Sequence, residues 1–295
     1  MGTPAALDAG QRGPRVAVVT DSVACIPPDV AGALGIEVVP IWIHLGGRSL
    51  RDGVDISPHE LYRRLRAGEL GSTSAPSPGD FLEAFRRLAE RGASAILVIT
   101  LPAELTAVHR SATLAAEMSP VPVEVVDSRT AAAAQGWVAI EAARALRGGA
   151  DVASAIARAR EVSRRSRLFA MVPELQYLRR GGRAVHALAR LGASLGIVPL
   201  LALRDGRVEP LAVTRSFQAA LDRMVEEMAA DAATGRLHVA VMEADAGPQA
   251  RRLVDAVRAR LAPAELITTT FTPAMGVHAG PGIVGVGYWV EPRPT

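Results

Sequence analysis

Short apolar segments alternate with longer amphipathic segments along nearly the whole chain of 295 residues. The apolar segments, such as Val16–Thr20 and Ala95–Thr100, have the length of buried strands, and the segments between them have the length and periodicity of helices. A chain that alternates in this way is typical of a layered α/β protein, in which helices cover the faces of a sheet. The continuous apolar character of the first strands predicts that this sheet is mostly parallel and buried on both faces.

A second unit is predicted to begin near Arg167. The pair Asp205-Gly206 lies between the predicted strands Ile197–Leu203 and Val208–Val213 and is typical of a β-hairpin. An antiparallel hairpin in this unit predicts a mixed sheet. We therefore predict a tail at residues 1–14, an N-terminal α/β domain at 15–166 with a mostly parallel sheet, and a C-terminal α/β domain at 167–292 with a mixed sheet.

Two helix starts carry strong local signals. Ser57 and Ser77 each stand directly before a proline and three residues before an acidic residue, which is the pattern of a capped helix N-terminus. The other expected elements include a strand at Val38–His44, a helix at Leu105–Met118 and a closing strand at Ile283–Val290.

Composition excludes several classes of protein. With 49% hydrophobic residues the chain is not disordered, yet no apolar run reaches the ~20 residues that span a bilayer. The net charge is only +3, every basic residue is Arg, and few aromatic residues are available for base stacking, so a nucleic-acid partner is not predicted. The single cysteine, Cys25, forms no intrachain disulfide and has apolar neighbours, which is consistent with a packed thiol in a reducing cytoplasm.

Two glycine-rich motifs resemble functional signatures. Gly192-Ala193-Ser194-Leu195-Gly196 matches a nucleophile elbow, and Asp245 and His278 follow in the order found in hydrolases. An elbow joins a strand to a helix, whereas a predicted helix precedes Ser194 and a strand follows it. The alternative of a Ser-His hydrolase of acyl esters therefore rests on a weak match.

The second motif, Gly280–Gly285, matches a dinucleotide fingerprint but is followed by a predicted strand rather than a helix. Only ten residues follow Gly285, so no ribose-binding acid can lie ~20 residues further on. The histidines are scattered and there is no second cysteine, so no metal site and no cofactor are predicted.

Hydroxyl-bearing segments stand near the predicted carboxyl ends of strands, where open α/β sheets bind ligands. They are Thr20-Asp21-Ser22, Thr73-Ser74-Ala75-Pro76-Ser77-Pro78 and the stretch from Thr100 to Thr106. Hydroxyl groups and backbone N–H groups near helix N-termini suit an anion.

Five motifs in this order make the chain similar to one known family. They are Thr20-Asp21-Ser22, Thr73-Ser74-Ala75-Pro76-Ser77, Val126-Asp127-Ser128, Tyr177-Leu178-Arg179-Arg180-Gly181-Gly182-Arg183 and Gly276-Val277-His278-Ala279-Gly280-Pro281-Gly282. From about Arg15 to Val290 the chain resembles the DegV family of bacterial fatty-acid-binding proteins. The resemblance implies two α/β domains with the acyl chain buried between or within them.

The resemblance also implies a site. The positions that match the family's carboxylate-binding residues are Thr73, Thr106 and His278. Further positions expected in the pocket or at its mouth are Asp21, Ser22, Ser74, Arg183, Arg215 and Gly276. At Thr106 the chain departs from the family's usual Ser, and Ala107 replaces the small Gly that follows. The extra methyl group of Thr106 crowds the head group, while its hydroxyl remains a donor.

The function implied by the resemblance is that of a carrier without catalytic residues. It would bind a long-chain fatty acid such as palmitate, serve lipid transport and fatty acid metabolism in the cytoplasm, and present the carboxylate to a fatty acid kinase. Transient contact with a membrane surface is expected as well, because arginines are dense between Arg158 and Arg183 and would suit anionic lipid or an acidic partner.

Overall fold

The structure is a computed structural model that describes residues 15–182 and 197–293. The described strands are β1 Val16–Asp21, β2 Ile36–Val39, β3 Trp42–Leu45, β4 Arg48–Arg51, β5 Gly71–Ser74, β6 Ala95–Thr100, β7 Val123–Asp127, β8 Ser166–Met171, β9 Val198–Arg204, β10 Arg207–Thr214, β11 Gly235–Glu243, β12 Glu265–Thr270 and β13 Val284–Pro292. The described α-helices are α1 Pro28–Leu34, α2 Pro58–Arg66, α3 Pro78–Glu90, α4 Val108–Ala116, α5 Ala132–Arg147, α6 Val152–Arg165, α7 Leu175–Gly181, α8 Phe217–Ala232, α9 Gly247–Leu261 and α10 Pro273–Ala279.

The first sheet is parallel, in the order β2-β1-β6-β7. Its inner strands are buried almost throughout, since β6 has five consecutive buried residues after Ala95. The predicted parallel sheet in the N-terminal region is confirmed. The helix starts at Ser57 and Ser77 are confirmed too, because each serine side chain accepts an N–H from the residue three positions on.

The second sheet is mixed, in the order β10-β9-β8-β13-β11-β12. All its neighbouring strands are antiparallel except β11 and β12, which are parallel. The predicted hairpin is present, and Asp205 and Gly206 both adopt the positive φ angles that such a two-residue turn requires. This sheet begins at Ser166, although the predicted domain boundary near that position stays a prediction.

The predicted single strand at Val38–His44 is wrong. Pro40 separates two strands, because a proline has no N–H to donate to a sheet. β2 remains in the first sheet, while β3 forms the centre of a small antiparallel sheet in the order β4-β3-β5. The alternation of apolar residues does not predict β4 or β5, since both strands are short and mostly polar.

The predicted helix at Leu105–Met118 begins later than expected. Residues 103–105 form a turn, in which the N–H of Leu105 donates to the carbonyl of Pro102 over 3.0 Å. The helix α4 starts only at Val108. The segment between β6 and α4 is therefore a loop at the carboxyl edge of the first sheet.

The helix α5 connects the two sheets. Its N-terminal part, Ala132–Ala143, is buried and rich in alanine, so its backbone can approach both sheets closely. The Trp137 Nε1 group donates to the carbonyl of Gly287 over 3.1 Å. A Cβ atom at Gly287 would lie 2.5 Å from the Ala134 nitrogen, which explains why this position in β13 has no side chain.

In the described part of the chain, no helix is both long enough and apolar enough to cross a membrane. Cys25 is buried, and burial raises the pKa of its thiol to about 12. The packed thiol predicted from its apolar neighbours is confirmed.

Candidate functional site

An apolar cavity lies between the carboxyl ends of the first sheet's strands and one face of the second sheet. The part of this cavity that the centre of a water molecule can occupy has a volume of about 190 Å³. On the same measure, a cavity that holds one water molecule needs only ~10–15 Å³. The cavity is therefore large enough for an organic ligand. Its described lining consists of Val23, Ile41, Thr73, Ser74, Ala75, Leu101, Leu105, Thr106, Ala131, Leu168, Ala170, Val172, Leu178, Leu201, Ala202, Leu203, Val208, Phe271, Ala274, Met275, His278, Ala279 and Ile283.

Thr73 and His278 meet at this cavity although they are 205 positions apart in the chain. The Thr73 Oγ1 and His278 Nε2 atoms lie 2.6 Å apart and are hydrogen-bonded. Thr73 is placed by β5, which pairs with β3 so that Thr73 stands opposite the buried Ile43. The antiparallel pairing of two short strands thus brings one predicted carboxylate-binding residue to another.

Thr106 lines the same cavity from the loop between β6 and α4. It is half-buried, and its Oγ1 atom accepts the N–H of Val108 over 3.4 Å at the start of α4. The hydroxyl hydrogen remains available to a ligand, because the oxygen acts as the acceptor in this contact. All three predicted carboxylate-binding residues therefore lie on one cavity.

The helix α10, which carries His278, is held by a carboxylate that sequence reasoning missed. Asp52 is buried, and one of its oxygens accepts the N–H of Ala274 over 3.1 Å at the start of α10. The other oxygen accepts the Ser22 hydroxyl over 2.6 Å. Burial raises the pKa of Asp52 above its ordinary value. In the sequence, Asp52 precedes a glycine and reads as an ordinary turn residue, so no local signal could have identified it.

Gly276 serves the packing of α10 rather than the lining of the cavity. A Cβ atom there would lie 2.6 Å from Tyr62 Cε1 and 2.8 Å from Leu61 Cδ2, both on α2. The absence of a side chain lets α10 approach α2, and this approach places His278 beside Thr73.

Gly276→Ala is expected to lower the free energy of unfolding by about 2 kcal/mol, because neither α2 side chain can move away freely in a packed core. Denaturant unfolding measures the change. Gly32→Ala is the matched control: Gly32 is helical in α1, nothing lies within 4 Å of the added Cβ, and the variant should be as stable as the parent or more so. Equal stability of the two variants would contradict the packing role of Gly276.

Asp21 and Ser22 lie behind the cavity and are not part of its described lining. Asp21 is fully buried and accepts three hydrogen bonds: from the Val23 N–H at 3.1 Å, the Leu101 N–H at 3.1 Å and the Gln135 amide at 2.8 Å. These bonds join the ends of β1 and β6 to α5. Burial raises the pKa of Asp21 to about 6, against the effect of these donors.

The other expected pocket residues differ in their placement. Ser74 borders the cavity, but its hydroxyl is hydrogen-bonded to His44 Nε2 at 2.9 Å on the outer face of the small sheet. Arg215 is exposed and does not belong to the described lining. Arg183 lies outside the described residues. Of the described residues that line the cavity, only His278 has an ionisable side chain.

The hydrolase arrangement suggested by the sequence gains no geometric support. Asp245 is ion-paired with Arg66, with 2.7 Å between Oδ2 and Nη2, and His278 is bonded to Thr73. Ser194 lies outside the described residues. The Gly280–Gly285 segment leads into the strand β13 and not into a helix, so the dinucleotide fingerprint lacks its structural context.

Within residues 15–182 and 197–293, no group of histidine, cysteine and acidic side chains is arranged to hold a metal ion.

Comparisons with known proteins agree on one family. A family model described as "Uncharacterised protein, DegV family" matches residues 15–291. A DegV domain-containing protein of Streptomyces coelicolor is 40% identical over 274 residues, which cover 92% of this chain and 97% of that protein. A solved structure of a DegV family protein from Thermus thermophilus is described by its fatty acid binding. It superposes on this chain with a TM-score of 0.88 at 30% identity, and the match covers 94% of this chain and 100% of that one. A structure of DegV from Bacillus subtilis, described as a fatty acid binding protein, gives a TM-score of 0.87 at 26% identity, with 95% and 100% coverage.

Proposed function

The chain belongs to the DegV family, and from this we propose that it binds one long-chain fatty acid, such as palmitate, in the cavity beneath Thr73, Thr106 and His278. The observation that carries the proposal is that the cavity lining consists of a large apolar part and a small polar part. Most of the lining residues are aliphatic, and the few polar ones include the hydrogen-bonded pair Thr73–His278. An acyl chain with a single carboxylate has the same division.

The acyl tail supplies most of the affinity. Burying about fourteen methylene groups at ~0.8 kcal/mol each gives ~11 kcal/mol before the costs of binding. Each hydrogen bond to a charged head group adds ~1.5–3 kcal/mol before desolvation. The hydroxyl and imidazole groups therefore fix the orientation of the ligand more than they determine its affinity.

A carboxylate in this position needs a compensating charge, because an unpaired buried charge is very unfavourable. His278 is the side chain in the described lining that can carry a positive charge. With the imidazole protonated, its Nε2–H donates to the Thr73 oxygen, and the Thr73 hydroxyl hydrogen is left to donate to the carboxylate.

Presentation of the carboxylate to a fatty acid kinase is supported by a second, smaller compartment on which His278 also borders. Its space for the centre of a water-sized sphere is about 90 Å³, and its lining includes Ser72, Tyr177, Arg180 and the exposed Leu70. The imidazole thus lies between the apolar cavity and a second compartment whose lining includes exposed residues. A head group held by His278 is close to where a second protein could reach it.

In this proposal the protein is a non-catalytic carrier for lipid transport and fatty acid metabolism in the cytoplasm. A membrane offers the tail a burial energy similar to that of the cavity, so exchange with a bilayer is reversible. Transient contact with anionic lipid would involve part of the arginine-rich stretch Arg158–Arg183. Flotation with anionic vesicles at low and high salt, and a kinase assay with the loaded protein, test these two partners.

Untreated purified protein is expected to carry about one fatty acid per chain in denaturing mass spectrometry. In Thr73→Val plus Thr106→Val, affinity should fall about tenfold or more through loss of two head-group donors, while thermal unfolding stays near that of the parent. Thr113→Val, the same substitution at an exposed site in α4, is the control and should retain the lipid. Protein that carries no lipid and takes none up, or turnover of ester probes, would overturn the proposal.

A further inference from the structure

Phe271 is the only phenylalanine, tyrosine or tryptophan in the described lining of the cavity. Its side chain is buried, and it stands between β12 and α10. The aliphatic side chains around it have rotamers to exchange, whereas an aromatic ring is a rigid plate. Phe271 is therefore the part of the wall that yields least to the shape of a ligand.

The ring of Phe271 lies on a position that has no side chain. A Cβ atom at Gly285 in β13 would be 2.8 Å from Phe271 Cζ and 3.3 Å from the Cβ of Ala170. Gly285 and Ala170 are paired in register on neighbouring strands, and Ala170 itself lines the cavity. The two small residues form a flat floor, and the tip of the ring rests on it.

The backbone of Phe271 is fixed at both of its polar groups. Its N–H donates to the carbonyl of Glu243 over 2.9 Å, and its carbonyl accepts the Tyr62 hydroxyl over 3.2 Å. The ring is thus held from its backbone to its tip. It can move neither into the sheet, where Gly285 lies beneath it, nor along with the backbone.

We propose that Phe271 is a specificity-determining residue that admits unbranched acyl chains and excludes chains carrying a methyl branch at the depth of its ring. Gly285 is a positioning residue in this scheme, because it sets how far the ring stands out from the sheet. This inference rests on the proposed binding of a fatty acid in the cavity and names the acyl class that it takes.

The test is a competition experiment with octadecanoate and a series of octadecanoates that carry one methyl branch at different carbons. The parent protein is expected to disfavour branches at a limited set of carbons by about tenfold, the scale for one extra carbon in a shaped pocket. In Phe271→Ala, the affinity should no longer drop when the branch lies at these carbons. Phe271→Leu, which keeps most of the apolar volume, should weaken this drop and guards against a failure of the alanine variant to fold.

Gly285→Ala tests the positioning role. The added Cβ would also lie 2.8 Å from the carbonyl oxygen of Phe169, so the strand itself is disturbed in this variant. The double variant Gly285→Ala with Phe271→Leu separates the two effects. If Gly285 acts through the ring, Gly285→Ala deepens the discrimination against branched chains in the parent but not in the Phe271→Leu background.

If affinity depends on the position of the branch in the same way in the parent and in Phe271→Ala, the inference is overturned while fatty acid binding is left intact. Equal effects of Gly285→Ala in both backgrounds would overturn the positioning role alone. Absence of any fatty acid from the parent protein is a different result, which removes the proposed function itself.

Discussion

Ala170→Trp is expected to lower the affinity for a long-chain fatty acid by at least about 100-fold while the fold is retained. Ala170 faces the cavity from the middle of β8, opposite Leu201 on β9. An indole at this position fills space that acyl methylenes would occupy. Each methylene that loses its buried place forfeits ~0.8 kcal/mol, or about fourfold in affinity, so three or four of them account for the effect.

Binding of octadecanoate in a fluorescence or calorimetric titration measures this loss. Val213→Trp is the matched control, because Val213 lies on the exposed side of β10 with 54% of its surface accessible. It adds the same side chain without entering the cavity, and its affinity should equal that of the parent. Thermal unfolding of both variants shows whether the indole in β8 is accommodated. Unchanged affinity in Ala170→Trp would place the acyl chain elsewhere.

The contribution of Asp21 to the stability of the protein is expected to fall as pH rises from about 4 to about 6, because its carboxyl group ionises there. Burial raises the pKa of Asp21 to about 6 from 3.8, so the folded state binds this proton more tightly than the unfolded state does. The unfolded chain therefore releases the proton first, and the free energy of unfolding decreases across this interval. A difference of about 2 pKa units corresponds to about 3 kcal/mol.

Denaturant unfolding of the parent and of Asp21→Asn at a series of pH values isolates this contribution. The asparagine variant is destabilised at every pH, because three donors converge on the carboxylate and an amide nitrogen would face one of them. Because other buried carboxyl groups such as Asp52 titrate in both proteins, the test is the difference between the two curves: the stability of the parent relative to the variant should fall by about 3 kcal/mol between pH 4 and 7. Asp29→Asn, at an exposed site in α1, is the control. Parallel curves for the parent and Asp21→Asn would contradict the assignment.

The alternation of apolar and amphipathic segments predicted most elements correctly where hydrophobicity reports burial. The central strands of both sheets are apolar because helices cover both faces, so their composition reveals them. The short strands β4 and β5 belong to a small sheet with one solvent-facing side, and their sequences are mostly polar. The helix α10 is not predicted for a different reason, since its 7 residues are too few for a periodic signal.

The residues of the candidate site are likewise only partly predictable from the sequence. Thr73 and His278 belong to family motifs, and Thr106 is the position that matches the family's usual Ser; the structure brings all three to one cavity. Asp21 and Ser22 belong to an equally distinctive motif but hold strand ends and α10 in place. A motif marks a position as special without distinguishing a residue that touches a ligand from one that supports it. Asp52 shows the converse, since its role depends on a contact with Ala274 that is 222 positions away.

The sequence by itself determined the α/β class, the parallel and mixed character of the two sheets, the hairpin and the family, because each of these follows from local composition or from motifs in order. Only the tertiary structure decided that Thr73 bonds to His278, that Gly276 and Gly285 leave room for Tyr62 and Phe271, and that Asp21 lies behind the cavity. These features depend on pairs of residues far apart in the chain, and their distance is set by the packing of whole helices and strands. No local pattern encodes it.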